Sequence, residues 1–299
     1  MSEEPGHRAG GVAILGWTNV GKSTLLNRLV GDKLAAVAEV SQTTRFKITG
    51  VRNVERRGQI VFVDTPGLHE PRSKMNRAMV RQIHRTLHEV DLCLLVVDAS
   101  RGLGSGDRRA ARLLGEEDVP RVLVLNKVDL LRPKSRLLPM MQTAVSEWGF
   151  PAAVPVSALT GDGCDALLDE LLARLPVSEP LFPSDYLTDQ PARSLAAEWI
   201  REKLLARTRA ELPHATAVLV DRWIEREDGI VEIHANIIVD RPSQKQIVIG
   251  RQGEMLGAVG RAARLEIEGL LERKVALNLW VKVRDDWRND ERMLREMGL

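Results

Sequence analysis

The stretch GWTNVGKS, residues 16–23, decides how the first half of the chain folds. It follows a short apolar run, VAIL at 12–15, and ends in a lysine and a hydroxyl residue. A strand that runs through a glycine-rich turn into a helix is the structural context of a phosphate-binding loop. Backbone N–H groups of such a turn point at an anion, and the helix N-terminus adds its dipole. The pattern therefore predicts a nucleotide-phosphate site.

The residue types within this loop predict separate roles. The ammonium group of Lys22 would reach the β- and γ-phosphates, and the hydroxyl of Ser23 would bind Mg²⁺. The predicted nucleotide contacts of the loop are Gly16, Asn19, Val20, Gly21, Lys22, Ser23 and Thr24.

A second motif, Asp64-Thr65-Pro66-Gly67, ends the apolar run IVFV at 60–63. The carboxylate of Asp64 is expected to reach Mg²⁺, and the N–H of Gly67 to reach the γ-phosphate. A further Mg²⁺ ligand should come from SQTTR at 41–45, where Thr44 is the first choice and Thr43 the second.

Two motifs predict the base that is bound. Asn126-Lys127-Val128-Asp129 ends the run RVLVLN, and the Asp129 carboxylate can accept hydrogen bonds from N1 and the 2-amino group of guanine. Adenine offers no such pair of donors. Ser157-Ala158 ends the next run, where a backbone N–H can reach the guanine O6. Because all these motifs end predicted parallel strands, they should meet at one edge of a sheet. They predict a GTP site with Mg²⁺.

Hydrolysis needs an oriented water and neutralisation of the charge that develops on the phosphates. Many such enzymes have a glutamine after the second motif, but Leu68 occupies that position here and cannot orient water. The amide of Asn19 could instead ligate a monovalent cation between the phosphates, or it could simply fill the loop. The predicted catalytic residues are Lys22, Asn19, Gly67 and Thr44.

The apolar runs of residues 11–176 are nearly continuous and alternate with amphipathic segments of helical length. This pattern is typical of a mostly parallel sheet covered by helices on both faces. Residues 45–63 differ, because they have the pattern of a hairpin with its turn near residues 56–58. We expect an α/β GTPase domain over 11–176, after a disordered N-terminus over 1–10.

The composition is that of a soluble globular protein: 44% hydrophobic and 28% charged residues, with a net charge of +2. The two cysteines are far apart, and the first ten residues lack an apolar signal-peptide core. No apolar run approaches the length of a membrane span. These features predict a cytoplasmic protein.

The second half begins with a Pro-, Ser- and Asp-rich stretch that predicts a linker over 177–191. A helix over 192–211, two strands over 215–225 and 230–239, two helices and a last strand over 274–284 are expected to follow. This order predicts a smaller α+β domain over 192–285, with a charged, helical tail over 286–299. Trp280 alternates with valines and is predicted to lie in the core.

A GxxG turn between the two helices can let a nucleic-acid backbone approach closely. Gly250-Arg251-Gln252-Gly253 fits this role, whereas Gly257–Gly260 is expected to lie inside the following helix. Residues 181–299 contain 19 Lys or Arg and 20 Asp or Glu, so a basic face must be local. The basic helix with Arg201, Lys203, Arg207 and Arg209 is an alternative face, or a solvated surface with ion pairs. The predicted RNA contacts are Lys245, Gly250, Arg251, Gln252, Gly253, Arg261 and Arg264.

The motifs TNVGKST, SQTTR, DTPGLH and NKVD, with ELPHA, IVIGRQGEMLGAVGRAAR and LNLWVKVRDDW in the second half, resemble the Era-like GTPases over nearly the whole chain. The resemblance implies a Ras-like domain with a type II KH domain, potassium-stimulated hydrolysis without a glutamine, and binding near the 3′ end of 16S rRNA in the precursor of the 30S subunit. Trp17, where relatives usually have proline, and the Ser-Ala-Leu form of the last GTP motif depart from the family pattern.

Three functions are consistent with these residues. The first is a GTP-hydrolysing switch that binds rRNA, expected to be a monomer. The second is an RNA-binding module whose nucleotide is structural and turns over little. The third is a GTPase whose C-terminal domain recruits a protein or associates peripherally with a membrane, against which the absence of a strongly amphipathic basic helix counts.

Overall fold

The structure is a computed structural model and describes residues 6–37, 46–68, 73–208 and 212–298. The chain forms two compact units. The first contains most of the residues up to Asp189. The second contains the residues from Gln190 onward, together with the described parts of two short earlier segments, 36–37 and 73–75.

A six-stranded sheet forms the centre of the first unit, with the strand order β2-β3-β1-β4-β5-β6. All neighbouring strands are parallel except β2 and β3, which form the predicted antiparallel hairpin. The strands are β1 (Arg8–Leu15), β2 (Ile48–Val54), β3 (Gly58–Asp64), β4 (Leu92–Asp98), β5 (Arg121–Asn126) and β6 (Ala153–Pro155). The helices are α1 (Lys22–Val30), α2 (Lys74–Leu87), α3 (Ser105–Gly115), α4 (Leu137–Ser146) and α5 (Cys164–Arg174).

Helices cover both faces of this sheet, which explains why its strands are apolar on both sides. Leucines of α1 and α5, such as Leu25 and Leu167, pack with Ile14 and Val96 in one core. Residues of α2, α3 and α4 pack with alternate strand residues, including Leu95, in a second core. The carboxyl ends of β1, β3, β5 and β6 consequently lie at one edge, as the sequence predicted.

The first strand begins earlier than predicted. Residues 8–10 pair with β3 from Gly58 onward, so the prediction of disorder over 1–10 is wrong for these three residues. A glycine-rich terminus has the composition of a flexible tail, but here small residues permit close packing, since a Cβ on Gly10 would lie 2.7 Å from Asp91 Oδ2. Residues 1–5 lie outside the described part of the chain.

The stretch interpreted as a linker packs against the edge hairpin of the first unit. The N–H of Val51 donates to Leu187 O (2.8 Å), and the side-chain amide of Gln59 donates to Phe182 O (2.8 Å). Phe182 and Tyr186 stack with ring centroids 4.6 Å apart. Much of this stretch is therefore held by hydrogen bonds to β2 and β3.

The second unit is an α+β domain with the predicted order of major elements. Its three-stranded sheet has the order β7-β8-β9, antiparallel between β7 and β8 and parallel between β8 and β9. The strands are β7 (Thr216–Glu225), β8 (Val231–Val239) and β9 (Val275–Val283). The helices are α6 (Ala192–Leu205), α7 (Leu212–Ala215), α8 (Pro242–Ile249), α9 (Glu254–Leu271) and α10 (Glu291–Glu296).

The first helix of this unit is shorter than predicted, because α6 ends at Leu205 rather than at residue 211. The Thr208 hydroxyl donates to Leu204 O (2.9 Å) and the N–H of Arg207 donates to the same carbonyl (3.0 Å). These bonds close a tight turn at the end of α6. The sequence has no glycine or proline at this turn, so it does not indicate that the helix ends there.

Trp280 is not in the core, contrary to the sequence-based expectation. Val275 and Val281 of β9 face the helices, and Trp280 lies on the opposite face, 46% exposed and stacked on His234 at 5.1 Å. Trp287, further along the chain, is buried instead, and its indole N–H donates to Ala215 O (3.0 Å). Among the described residues, no helix is both long and apolar enough to cross a membrane.

Candidate nucleotide and nucleic-acid sites

The loop after β1 has the backbone of a phosphate-binding turn. Gly16 and Gly21 have positive φ angles of 151° and 96°. A Cβ on Gly16 would lie 2.3 Å from Val96 O, and one on Gly21 would lie 2.4 Å from the side-chain nitrogen of Asn126. Only glycine fits at either position, and Asn19 between them adopts the left-handed conformation (φ 64°). Helix α1 begins at Lys22, directly behind this turn.

Lys22 is buried, and its ammonium group donates to Gly16 O (3.2 Å) and Trp17 O (3.0 Å). Burial lowers the pKa of Lys22 to about 8, while the attraction of Asp64 acts in the opposite direction. A cation that is only marginally protonated without an anionic partner gains charge when a phosphate arrives. The position of Lys22 and its lowered pKa therefore both favour the binding of an anion.

The Ser23 hydroxyl donates to Asp64 Oδ2 at 2.8 Å, which brings the two predicted metal ligands together. A hydroxyl and a carboxylate beside a phosphate site are the donors that Mg²⁺ uses in nucleotide-binding proteins. The residues present thus fit Mg²⁺, with Ser23 and Asp64 as its protein-side partners. The predicted ligands Thr44 and Thr43 lie outside the described residues.

The second motif brings Gly67 against the phosphate loop. A Cβ on Gly67 would lie 2.8 Å from the Thr18 methyl group and 3.3 Å from Lys22 Nζ. The next residue, Leu68, donates its N–H to Gly16 O (3.0 Å), and its side chain is buried in the core beneath α2 and α3. A leucine held in that core has no polar group with which to orient water.

Trp17 fills a space between the phosphate loop and α3. A Cβ on Gly106, in the first turn of α3, would lie 2.8 Å from the indole Nε1 of Trp17. Trp17 also forms a backbone bridge to Leu68. The indole thus packs beneath the loop, and glycine at position 106 makes room for it.

Asn126 connects the phosphate loop to the last GTP motif. Its side-chain amide donates to Val20 O (2.8 Å), and its Oδ1 accepts the N–H of Ala158 (3.0 Å). Next to it, Lys127 adopts the left-handed conformation and donates to Asn19 O (2.6 Å) and Asp98 Oδ2 (2.7 Å). The predicted residues of three separate motifs therefore meet in one network.

Two residues of this network were not predicted from the sequence. Burial raises the pKa of Asp98, but hydrogen bonds from Lys127 and Ser100 outweigh it and hold this pKa below its usual value. Asp98 is the last residue of β4, and an acidic residue at the end of an apolar run is the sequence pattern that could have identified it as a site residue. Arg28 of α1 donates to Ala158 O (3.1 Å) and Leu159 O (2.5 Å), and nothing in the spacing of α1 indicates this contact.

Ser157 and Ala158 lie where the sequence placed them, buried just after β6. The N–H of Ser157 donates to Asp162 O (2.8 Å). Asp129 is half-buried three residues after the end of β5. The base-binding motifs thus occupy the same sheet edge as the phosphate loop.

The GxxG turn of the second unit joins α8 to α9 in a strained conformation. Gly250, Gln252 and Gly253 all have positive φ angles, of 75°, 51° and 83°. A Cβ on Gly250 would lie 2.6 Å from Met255 Cβ, whereas one on Gly253 would meet nothing within 4 Å. Gly253 therefore leaves open space beside the turn, as a backbone-to-backbone approach requires.

A groove of about 660 Å³ runs from this turn between α9 and the edge strand β9. Its walls include Arg261 and Arg264 of α9 and Asn278 on β9. Gly257 and Gly260 lie inside α9, as predicted, and line the same groove. Arg251 and Gln252 are exposed on the turn, and Lys245 is half-buried on α8. Both arginines predicted beyond the turn, Arg261 and Arg264, therefore line the groove.

The alternative basic face on α6 is largely used within the domain. Arg201 is 1% exposed and donates to Glu198 (2.6 Å). Lys203 donates to Glu202 (2.8 Å) and Glu266 (2.5 Å). The expected solvated ion pairs are therefore partly buried structural ones, and Arg209 lies outside the described residues. This leaves the groove beside the GxxG turn as the better-formed candidate.

The first domain has a nucleotide site at the edge of its sheet, and the second has a GxxG turn. Together they define the class of protein, a GTPase joined to a nucleic-acid-binding domain. The family model described as "50S ribosome-binding GTPase" matches residues 11–127, and the KH domain model matches residues 211–288. The GTPase Era of Geobacter metallireducens is 48% identical over 299 residues, covering 100% of this chain and 99% of that protein. The GTPase Era of Lacticaseibacillus paracasei is 44% identical over 298 residues, covering 100% and 98%.

Two solved structures show the same full-length fold. Era in complex with MgGDPNP and nucleotides 1506–1542 of 16S ribosomal RNA has a TM-score of 0.95 at 38% identity, over 98% of this chain and 99% of that one. A single-residue variant of Aquifex aeolicus Era bound to GDP·AlF₄⁻ has a TM-score of 0.93 at 39% identity, over 97% and 99%. The chain belongs to the Era family of GTPases.

Nucleotide affinity should fall as the pH rises above about 8, because the depressed pKa of Lys22 lies there. Bound phosphates favour the ammonium form and raise this pKa again, so binding above pH 8 must take up a proton. Calorimetric titration of GDP at pH 7 and pH 9, each in two buffers of different ionisation enthalpy, measures this uptake. The Lys22→Arg variant, which does not titrate, should show none; equal uptake in both proteins would contradict the assignment.

The Arg28→Ala variant should bind GDP about tenfold more weakly, a loss of about 1.4 kcal/mol, because the carbonyls of Ala158 and Leu159 lose their cationic donor. Equilibrium binding of a fluorescent GDP analogue measures the effect. Arg174→Ala, which removes an arginine paired with Glu170 on the neighbouring helix α5, is the matched control. Equal affinities of the two variants would show that Arg28 does not position the loop.

Proposed function

We propose that this protein is a GTP-driven switch that binds small-subunit (16S) rRNA near its 3′ end and acts in assembly of the 30S subunit. The observation that supports it most is the combination, in one chain, of a formed phosphate loop and an open GxxG turn beside a groove. A relative that is 38% identical over nearly its whole length was solved with both MgGDPNP and nucleotides 1506–1542 of 16S rRNA.

The residues at this sheet edge take separate roles toward the nucleotide. Lys22 and the N–H groups of the loop hold the β- and γ-phosphates, and the N–H of Gly67 reaches the γ-phosphate. Asp129 accepts from the guanine ring, and the Ser157–Ala158 backbone faces its carbonyl. Ser23 and Asp64, with Thr44, hold Mg²⁺, which supplies charge neutralisation at the phosphates.

Residues 11–176 act as the GTPase domain, and residues 192–285 act as the KH domain. Gly250–Gly253 receives the RNA backbone, and Arg261 and Arg264 contact phosphates along the groove. Arg251 and Lys245 add positive charge at the entrance. The protein acts as a monomer with one nucleotide site and one KH domain.

A second candidate is an RNA-binding module in which the nucleotide is structural. Leu68 favours it, since this side chain is packed in the core and leaves no group to orient water at its position. The two candidates differ in whether RNA affinity is coupled to the bound nucleotide, because a switch must change its RNA affinity when GTP replaces GDP.

The first test measures binding of a short RNA that copies the 3′ end of 16S rRNA, with a non-hydrolysable GTP analogue and with GDP. Tight, sequence-dependent binding that weakens in GDP is expected for the switch. Binding that is indifferent to the nucleotide would favour the structural module.

The Gly253→Asp variant should bind this RNA at least tenfold more weakly, because a carboxylate would face the approaching phosphate. Gly253→Asn is the matched control, since asparagine has the same shape and tolerates the same backbone conformation (φ 83°) without the charge. Fluorescence anisotropy of the labelled RNA gives both affinities. Unchanged affinity in the aspartate variant would exclude this turn as the contact.

Turnover should be several-fold faster in KCl than in NaCl, with Asn19 as ligand of a potassium ion that supplies the charge which Leu68 cannot. The loop at this position is fixed, because Asn19 O accepts from Lys127. Asn19→Gly keeps the left-handed backbone (φ 64°) and removes the amide, so it should lose the potassium effect while still binding GDP. Phosphate release in the two salts measures it, and equal rates in the unaltered protein would remove the cation.

A further inference from the structure

Helix α2 presents a row of arginines to solvent that the nucleotide and KH sites do not use. Its sequence, KMNRAMVRQIHRTL, contains no acidic residue. Met75, Met79 and Ile83 are buried, whereas Arg77, Arg81 and Arg85 are exposed on the other side. A spacing of four residues places these three arginines on one helix face, about 6 Å apart along the axis. Like charges at this spacing destabilise a helix by a few tenths of a kcal/mol per pair, so the row has a structural cost.

Helix α3 adds three more arginines on the same side of the sheet. Arg108, Arg109 and Arg112 line a groove of about 650 Å³, together with Thr143 and Trp148. The helices α2 and α3 pack on the same core, and His84 of α2 contacts Glu117, just beyond α3, at 3.1 Å. We call these six exposed residues the arginine face: Arg77, Arg81, Arg85, Arg108, Arg109 and Arg112.

The acids near this face neutralise little of its charge. The Asp107 carboxylate accepts the N–H of Gly104 (2.8 Å), and Glu117 is shared by His84 and His88. Glu147 lies 3.8 Å from Arg108 with both side chains more than half exposed, a geometry that contributes little. Glu116 and Asp118 are exposed beyond the end of α3, and Glu89, just after α2, pairs with Lys47 at 2.8 Å.

The positive charge is therefore concentrated on one side of the domain. In the part of the chain that the structure describes, no carboxylate forms an ion pair with Arg77, Arg81, Arg85 or Arg112. Two arginines on the opposite side of the sheet are instead paired: Arg57 contacts Asp169 at 2.6 Å, and Arg174 contacts Glu170 at 2.5 Å.

We propose that the arginine face binds the phosphate backbone of folded ribosomal RNA, at a contact separate from the GxxG turn. The planar guanidinium group binds phosphate through two hydrogen bonds, and arginine is the residue best suited to it. The α2 row alone spans about 12 Å, which matches a regularly charged strand better than a single anion. Such backbone contacts position the protein without reading sequence.

This inference rests on the proposed rRNA binding, and it adds a second site on the GTPase domain. The GxxG turn selects a single-stranded end, and the arginine face holds neighbouring RNA. A short RNA that occupies only the turn should not depend on the arginine face, whereas a large RNA should.

The test compares two double variants of the full-length chain with the same change of charge. Arg81→Glu with Arg85→Glu alters the arginine face, and Arg57→Glu with Arg174→Glu alters the opposite side. Binding is measured to three probes: the short 3′-end RNA, protein-free 16S rRNA and purified small ribosomal subunits. Thermal melting and GDP affinity establish that each variant is folded, and Arg81→Gln with Arg85→Gln replaces the first variant if it is not.

The arginine-face variant should bind 16S rRNA and subunits at least tenfold more weakly, with a salt slope smaller by about 2, since two phosphate contacts are lost. Its affinity for the short RNA should match that of the unaltered chain, and the control variant should retain all three affinities. Equal loss in both double variants would overturn the proposal in favour of non-specific charge. Loss with subunits but not with free 16S rRNA would overturn it in favour of an acidic ribosomal protein.

The same measurements distinguish loss of the proposed KH function from absence of the second RNA contact. If the unaltered chain does not bind the short 3′-end RNA, the proposed KH function fails, whatever the double variants do. If it binds that RNA and the arginine-face variant binds 16S rRNA as tightly as the control does, only the second contact is excluded.

Discussion

The side-chain amide of Asn126 is the interaction on which the nucleotide site depends. It donates to Val20 O in the phosphate loop and accepts from the N–H of Ala158 in the last GTP motif. Both bonds are buried, and a buried polar group left without its partner costs about 1–3 kcal/mol. A single side chain thus fixes the distance between the loop after β1 and the loop after β6. Lys127 reinforces this arrangement by joining Asn19 to Asp98.

The same constraint explains the glycines and the indole of the loop. Gly21 must lack a side chain because the Asn126 amide occupies that space, and Gly16 must lack one because of Val96 O. Beneath the loop, Trp17 packs on Gly106. The phosphate loop is therefore in contact with α3, which carries half of the arginine face. An RNA contact on that helix would lie one packing layer from the nucleotide.

The motif spacing predicted most of the nucleotide site, because its residues follow strands whose carboxyl ends must meet in a parallel sheet. It could not predict Arg28, since an arginine on an amphipathic helix has no pattern that distinguishes a loop contact from solvent exposure. Trp280 was misplaced for a related reason: alternation shows that two faces of β9 differ, but a large aromatic residue does not tell which one faces the helices. The early end of α6 is set by hydrogen bonds to Leu204 O. The sequence has no glycine or proline at this point that would indicate the end of the helix.

The sequence by itself determined the class of fold, the order of its elements, the guanine nucleotide and the place of the GxxG turn, because these follow from local spacing and from backbone requirements of single residues. The tertiary structure decided which charges are available. Arg201 and Lys203 form ion pairs with carboxylates inside the second unit, whereas the arginines of α2 and α3 stay exposed on two helices that pack on the same core. Charge pairing depends on distances between residues that are remote in the chain, and those distances are fixed only when the helices pack.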